Sequence, residues 1–195
     1  MRHFLYLQSG GLNPSSLKKS AYAAAKETWL CTGCAAPKPS VGAVDVRIQA
    51  RPDDAPLTLV FGCGVLLGRR DLLEAFRPEC VAADLMLGTV KGWSGELLSD
   101  WVTVRGRHPL LVRGSEHVSY RKCQVCGRHA YFALGERYLY PAPASSASIY
   151  EDYDSSLVVA DGAISDQEAF ESWPMLRVKK LKVLEKPRDG LGELP

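Results

Sequence analysis

Four of the six cysteines fall into two pairs at C-x-x-C spacing, Cys31-Thr32-Gly33-Cys34 and Cys123-Gln124-Val125-Cys126. A C-x-x-C turn can offer two thiolates to one ion. Two such turns complete the all-sulfur tetrahedron that zinc favours, with metal–sulfur distances of about 2.3 Å. The pairs therefore predict one structural zinc site with Cys31, Cys34, Cys123 and Cys126 as ligands, clipping the N-terminal part of the chain to a hairpin near its middle. Residues 35 to 122 intervene, a longer interval than in a compact zinc ribbon, so the clip would close a long loop. Gly127 follows the second pair, where a residue without a Cβ can take the left-handed conformation. Ala35 stands in the matching place after the first pair and is expected to make that turn less regular. Four thiolates around a dication leave net negative charge, which Lys38, Arg121, Lys122 and Arg128 lie close enough in sequence to offset.

Other uses of these thiols were weighed. Redox chemistry would want a C-x-x-C at a helix N-terminus within a βαβ unit, but Pro37 and Pro39 follow the first pair and strand-like sequence follows the second. Unliganded core thiols, and His129 standing in for one cysteine as ligand, stay open as alternatives. Cys63 and Cys80 have no motif and read as small buried hydrophobes. Gly62-Cys63-Gly64-Val65-Leu66-Leu67-Gly68 is one residue too long in its last spacing for a dinucleotide fingerprint; Asp84 lies at the distance of a ribose-binding acid, yet a glycine-requiring turn explains the same letters. No Ser/His/Asp set or nucleophile elbow is present, and His3, His108, His117 and His129 have no motif context that marks a base. The expectation is a protein that is not an enzyme.

The elements that must position the cysteines follow from pattern. Ser15 and Ser16 precede an Ala- and Lys-rich stretch from Leu17 to Leu30, which predicts a capped helix delivering Cys31. Val44, Val46 and Ile48 alternate with polar residues as in a half-buried strand, Leu57 to Phe61 suits a buried strand, and Arg69 to Phe76 reads as a short helix. From Val81 to Val112 the pattern looks mostly β, clearest at Leu97 to Val104. His117 to Val125 and Arg128 to Tyr140 read as two strands hinged on the second cysteine pair. Pro141 to Ser148 is a connector, followed by the acidic aromatic segment Tyr150-Glu151-Asp152-Tyr153-Asp154 and an apolar run from Leu157 to Ala160. Ser165-Asp166-Gln167-Glu168 forms a capping box opening a helix, Leu176 to Leu184 is the last strand, and the chain from Pro187 on is expected to fray. The basic run Arg177, Lys179, Lys180, Lys182, Lys186 and Arg188 alternates with Leu176, Val178, Leu181 and Val183 as on the solvated face of an edge strand. The fold class predicted is α+β in one domain spanning residues 1–195, with a mixed or mainly antiparallel sheet, a few short helices and a split zinc-ribbon-like element from 31–34 and 117–140.

Composition sets the limits. The 195 residues are 46% hydrophobic and 24% charged, ordinary globular statistics, and a net charge of +2 gives no strong pull toward nucleic acid. No apolar run is long enough for a membrane span or a secretory signal, so the expected location is cytoplasmic and membrane is not an expected partner. The segment Tyr150, Glu151, Asp152, Tyr153 and Asp154 joins aromatic area to negative charge, a combination that suits contact with a basic protein partner.

These features together resemble the bacterial double-CXXCG motif proteins, immunity proteins of polymorphic toxin systems. The resemblance runs from the helix leading into Cys31-Thr32-Gly33-Cys34, through Cys123-Gln124-Val125-Cys126-Gly127-Arg128, to Ile149–Asp154, the β run at Leu157, the helix near Ser165 to Glu171 and the closing strand. It is one of layout over nearly the whole chain, with Ala35 where the first motif would have glycine. It implies a cytoplasmic inhibitor that binds and neutralises a cognate toxin domain, with zinc holding its shape. The runner-up reading is a zinc-ribbon nucleic-acid-binding or regulatory protein.

Overall fold

A computed structural model describes residues 3–8, 17, 19–52, 55–60, 62–153, 156–173 and 175–189, without the side chains of residues 117, 118 and 133. The fold is α+β. In chain order come β1 (Phe4–Gln8), α1 (Lys19–Thr28), β2 (Val46–Arg47), β3 (Leu57–Val60), β4 (Val65–Arg69), α2 (Arg70–Glu74), α3 (Pro78–Asp84), β5 (Leu85–Lys91) and β6 (Leu97–Gly106). There follow β7 (Pro109–Leu110), β8 (Val112–Lys122), β9 (His129–Leu139), β10 (Ile149–Asp152), β11 (Leu157–Ala160), α4 (Gln167–Glu171) and β12 (Arg177–Val183).

The strands form two mixed sheets, one of seven strands in the order β7-β10-β11-β1-β12-β9-β8 and one of five in the order β2-β5-β6-β4-β3. The alternation of side chains decides how they pack. Leu5 and Leu7 of β1, with Leu157 and Val159 of β11, share one core with Leu66 of β4 and with Val102 and Val104 of β6. The intervening residues Phe4, Tyr6, Val158 and Ala160 face a second core on the other side of the seven-stranded sheet. β1 and β11 are thus apolar on both faces, which is why Leu157 to Ala160 is a continuous apolar run. The outer face of the five-stranded sheet buries Val65, Leu67, Val90 and Trp101 against Ala25 of α1 and Leu30.

Several elements differ from the sequence expectation. Ser15 and Ser16 lie outside the described residues, and the helix there runs only over Lys19–Thr28. α3 occupies Pro78–Asp84, where the pattern reads as β from Val81; Pro78 opens it, since a missing N–H costs nothing in a first helical turn. Gly62 and Gly64, both with positive φ, form the turn of the β3–β4 hairpin, so the glycine run leads into a strand and not a helix. Asp84 is buried and accepts the amides of Ser148 and Ile149 at 2.7 and 3.0 Å, fixing the start of β10. The cap of α4 is Asp166, whose carboxylate accepts the Ala169 amide at 2.9 Å, while Ser165 donates instead to the Ala75 carbonyl. β12 is no edge strand: β1 pairs along one side of it, and β9 pairs in parallel with Lys182 and Val183 on the other.

At Arg188 and Asp189, the last described residues, the chain is locked rather than frayed. The Tyr138 hydroxyl accepts the amides of Arg188 and Asp189, and the Asp189 carboxylate receives Arg113 Nε at 2.6 Å and the Tyr131 hydroxyl at 2.8 Å. The Arg113 and Asp189 side chains are both buried, and the Arg113 guanidinium also stacks over Tyr140.

Candidate metal centre

The two C-x-x-C turns come from unlike surroundings and arrive at the same local geometry. α1 ends at Thr28, and the chain turns back on itself through Leu30, whose bridge with Pro37 frames the first knuckle. The second knuckle is the turn between β8 and β9, strands that pair from Lys122↔His129 down to Val112↔Leu139. In the first, the Ala35 amide donates to the Cys31 carbonyl at 2.9 Å and the Cys31 amide to the Ala36 carbonyl at 2.9 Å. In the second, the Gly127 amide donates to Cys123 O at 2.9 Å and the Cys123 amide to Arg128 O at 2.8 Å. Ala35 and Gly127 hold φ of 55° and 73°. The first turn is therefore as regular as the second, contrary to expectation, because its hydrogen bonds hold alanine in the left-handed region that glycine takes freely.

All four sulfurs lie within 4.8 Å of one another, forming a group that could hold a metal ion. Two of the separations, Cys31 to Cys123 and Cys34 to Cys126, are 3.7 Å. A tetrahedron with metal–sulfur arms of about 2.3 Å has edges of about 3.8 Å, so the spacing fits one ion at the centre. His129 is not in the group. Its Nδ1 pairs with the Tyr120 hydroxyl, and its ring is stacked between Tyr120 at 5.6 Å and Tyr153 at 5.3 Å.

Gly33 is what allows the knuckles to meet. A Cβ there would lie 2.7 Å from Val125 Cγ2 and 3.2 Å from the Cys123 sulfur, so any side chain would push the second turn away from the first. The sequence reading missed this residue, although a glycine between paired cysteines was its visible signal.

Backbone amides treat the sulfurs in matched fashion. Gly33 and Cys34 amides are directed at the Cys31 sulfur, and Val125 and Cys126 amides at the Cys123 sulfur. The amides of Cys126 and then Val125 hold the Cys123 thiol down at about 6. For Cys31, burial opposes ionisation, but the amides prevail and lower its pKa. Burial raises Cys34, and pushes Cys126 up to about 12, with only one amide set against it in each case, from Ala36 and Arg128. In the metal-free chain one thiolate is thus preformed near neutral pH.

The basic residues expected to offset the sulfur charge divide. Arg121 borders a recess with Cys34 and Cys123, and the Lys122 side chain passes close to Gly127. Lys38 instead donates to the Thr28 carbonyl at 2.9 Å, closing the end of α1. Arg128 reaches the Tyr153 carbonyl at 3.3 Å and the Glu151 carboxylate at 3.8 Å, tethering the knuckle to the seven-stranded sheet.

The acidic aromatic segment is placed mostly inside. Tyr150, Glu151 and Asp152 are the buried strand β10, and Tyr153 is half-buried; Asp154 lies outside the described residues. The Tyr150 hydroxyl donates to the Ser145 and Ala147 carbonyls. Asp152 accepts the Tyr6 hydroxyl and the Val112 and Tyr153 amides. Glu151 accepts the Gly106 amide at 3.1 Å and faces Arg105 at 3.6 Å. The partner-contacting surface expected here is not what Tyr150, Glu151 and Asp152 form: aromatic area and strand pairing carry them inward, and their carboxylates bind their own fold. Cys63 is buried, and Cys80 packs partly buried against the core. Among the described residues no helix is long and apolar enough to cross a membrane. No protein-family model matches the chain and no match appears among the curated proteins, so the chemistry of this centre stands on the residues themselves.

Proposed function

We propose that this chain is an immunity protein: a cytoplasmic binder that neutralises a cognate toxin domain and relies on one structural zinc ion. The observation that carries the reading is the convergence of four cysteine sulfurs from two remote C-x-x-C turns, with edges suited to a tetrahedral zinc thiolate. Four protein ligands leave no coordination position for substrate, which favours a structural role for the ion. The layout shared with the double-CXXCG motif proteins supplies the partner class. Within this reading Tyr150 to Asp152 shape the binder from inside, and Tyr153 is the most exposed of the described members of that segment. The test has two parts. Freshly reduced protein should contain about one zinc per chain, and the zinc-loaded protein should form a one-to-one complex with the toxin domain encoded beside its gene and block it. Failure to bind that domain would overturn the immunity reading even with zinc present.

A second reading, a nucleic-acid-binding zinc ribbon, is favoured by one observation. Exposed Arg121 and Lys122 flank the Tyr120–His129–Tyr153 stack beside the knuckle. Retention on immobilised nucleic acid that weakens steeply with salt would support it.

A further inference from the structure

Three cations of β12 have no acid to bind. Arg177, Lys179 and Lys180 are exposed and their side chains make no ion pair or hydrogen bond among the described residues, whereas Lys182 and Arg188 both bind Glu136. The strand is also enclosed only in part. β1 pairs with it from Arg177 to Leu181, but β9 reaches only Lys182 and Val183, so over Arg177 to Leu181 its second side has no strand neighbour among the described residues. Lys180 lies opposite Leu5 and Lys179 opposite Tyr6, and Leu5 and Tyr6 enter different cores, so the cations stand on both faces of the sheet along that open side. Beside it is a groove of about 260 Å³ lined by Leu5, Phe170, Trp173, Val178 and Lys180, with Val178 40% exposed. Glu171 borders the same groove, but its carboxylate accepts the Gln167 side-chain amide at 2.5 Å and forms no ion pair with Lys180. The acidic residues expected to meet a partner are meanwhile turned inward at Glu151 and Asp152. The free charge on this surface is positive.

Lysines along an open strand edge turn away basic and apolar strands, which would strip their charge of water without replacing it; an acidic strand offsets that loss. A strand added to an edge gains main-chain hydrogen bonds, and its alternate side chains reach both faces of the sheet. We propose that the open half of β12 docks an acidic extended segment of a protein partner, the toxin domain of the proposed function. Its carboxylates meet Arg177, Lys179 and Lys180, and one of its apolar side chains enters the groove beside Val178. The inference rests on the toxin-binding reading and reverses the charge expected of the partner's contact.

The test is calorimetric titration of the zinc-loaded full chain with the toxin domain encoded beside its gene, joined by hydrogen exchange on the complex. The parent chain should bind one to one, and amides between Arg177 and Leu181 that face the open side should become protected, a change that side-chain contact alone would not produce. Arg177→Glu/Lys179→Glu/Lys180→Glu should weaken binding about a hundredfold, and Lys180→Glu alone about tenfold. The protection is read on the parent chain, so it decides even if the triple variant does not fold. A complex that keeps the parent affinity in the triple variant, or that adds no protection in β12, overturns this surface and leaves the toxin reading standing. Absence of any complex with the parent chain overturns both. Self-association of the parent chain that the triple variant abolishes assigns the surface to a second copy and overturns the proposal as well.

Discussion

The thiolate corner and the Arg113–Asp189 pair fasten opposite ends of one strand, β8, to remote stretches of chain, and they do so with opposite chemistry. At the far end of β8, Cys123 and Cys126 meet Cys31 and Cys34 in a group that could hold a metal ion, with Cys31 buried and the other three half-buried. At its start, Arg113 holds Asp189 through a buried ion pair completed by the Tyr131 hydroxyl, with no metal needed. The first fastening depends on an ion and on thiol protonation, so it is conditional. The second needs no ion, but it tolerates no deletion, because removing one partner leaves the other stranded in the interior. The described fold thus has one fastening open to a metal ion and one that is complete in itself.

The largest effect that should separate the two is removal of the metal ligands. Cys123→Ser/Cys126→Ser is expected to abolish metal binding and cost about 5 kcal/mol or more, a large part of a domain's net stability, as read by metal analysis and chemical denaturation. Chelator should reproduce the loss in the parent chain and add nothing to the variant. Next, Asp189→Ala should cost about 3 kcal/mol by leaving Arg113 unpaired, with metal content unchanged; a thermal melt shifted by roughly 10 °C at one metal per chain would show it, and an unshifted melt would remove the lock from the account.

A third effect concerns acid. Metal binding displaces protons from every thiol whose pKa lies above the ambient pH. Cys126, at about 12, gives up a proton throughout the working range, whereas Cys123, at about 6, joins it only below pH 6. The thiolate is the ligand form, so affinity falls as pH falls, and its slope against pH should steepen below about 6; competition titrations between pH 5 and 8 read this directly. The smallest effects compare the knuckles with each other. Gly127→Ala meets no steric obstacle, its nearest neighbour being Lys122 Cε at 3.9 Å, and should cost about 1 kcal/mol for a left-handed alanine alone. Ala35→Gly should relieve the equivalent strain and, after the extra freedom of an unfolded glycine, gain about 0.5 kcal/mol by denaturant titration.

Much of the layout was legible. Apolar periodicity located β3, β6, β9 and β11 closely, because burial on one or both faces writes itself into alternate or consecutive residues, and it located β12 although Leu181 is the one buried residue of that strand. α3 was not legible: seven residues from Pro78 to Asp84 are too few for a helical period to stand out beside strand-like neighbours. The burial of Tyr150, Glu151 and Asp152 was not legible for a different reason. A carboxylate reads as solvated in sequence, and only the amides and guanidinium groups gathered around Glu151 and Asp152 make its burial tolerable.

What the sequence determined by itself was the ligand set of the candidate metal centre, since two thiols three positions apart form a chelating turn whatever the rest of the chain does. Tertiary structure alone decided which charges meet. Among 24 basic and 22 acidic side chains, no local pattern marks Arg113 for Asp189, or Arg105 and Arg128 for Glu151. Ion pairing at long range is set by which strands become neighbours, and strand order follows from how two sheets bury their shared apolar face.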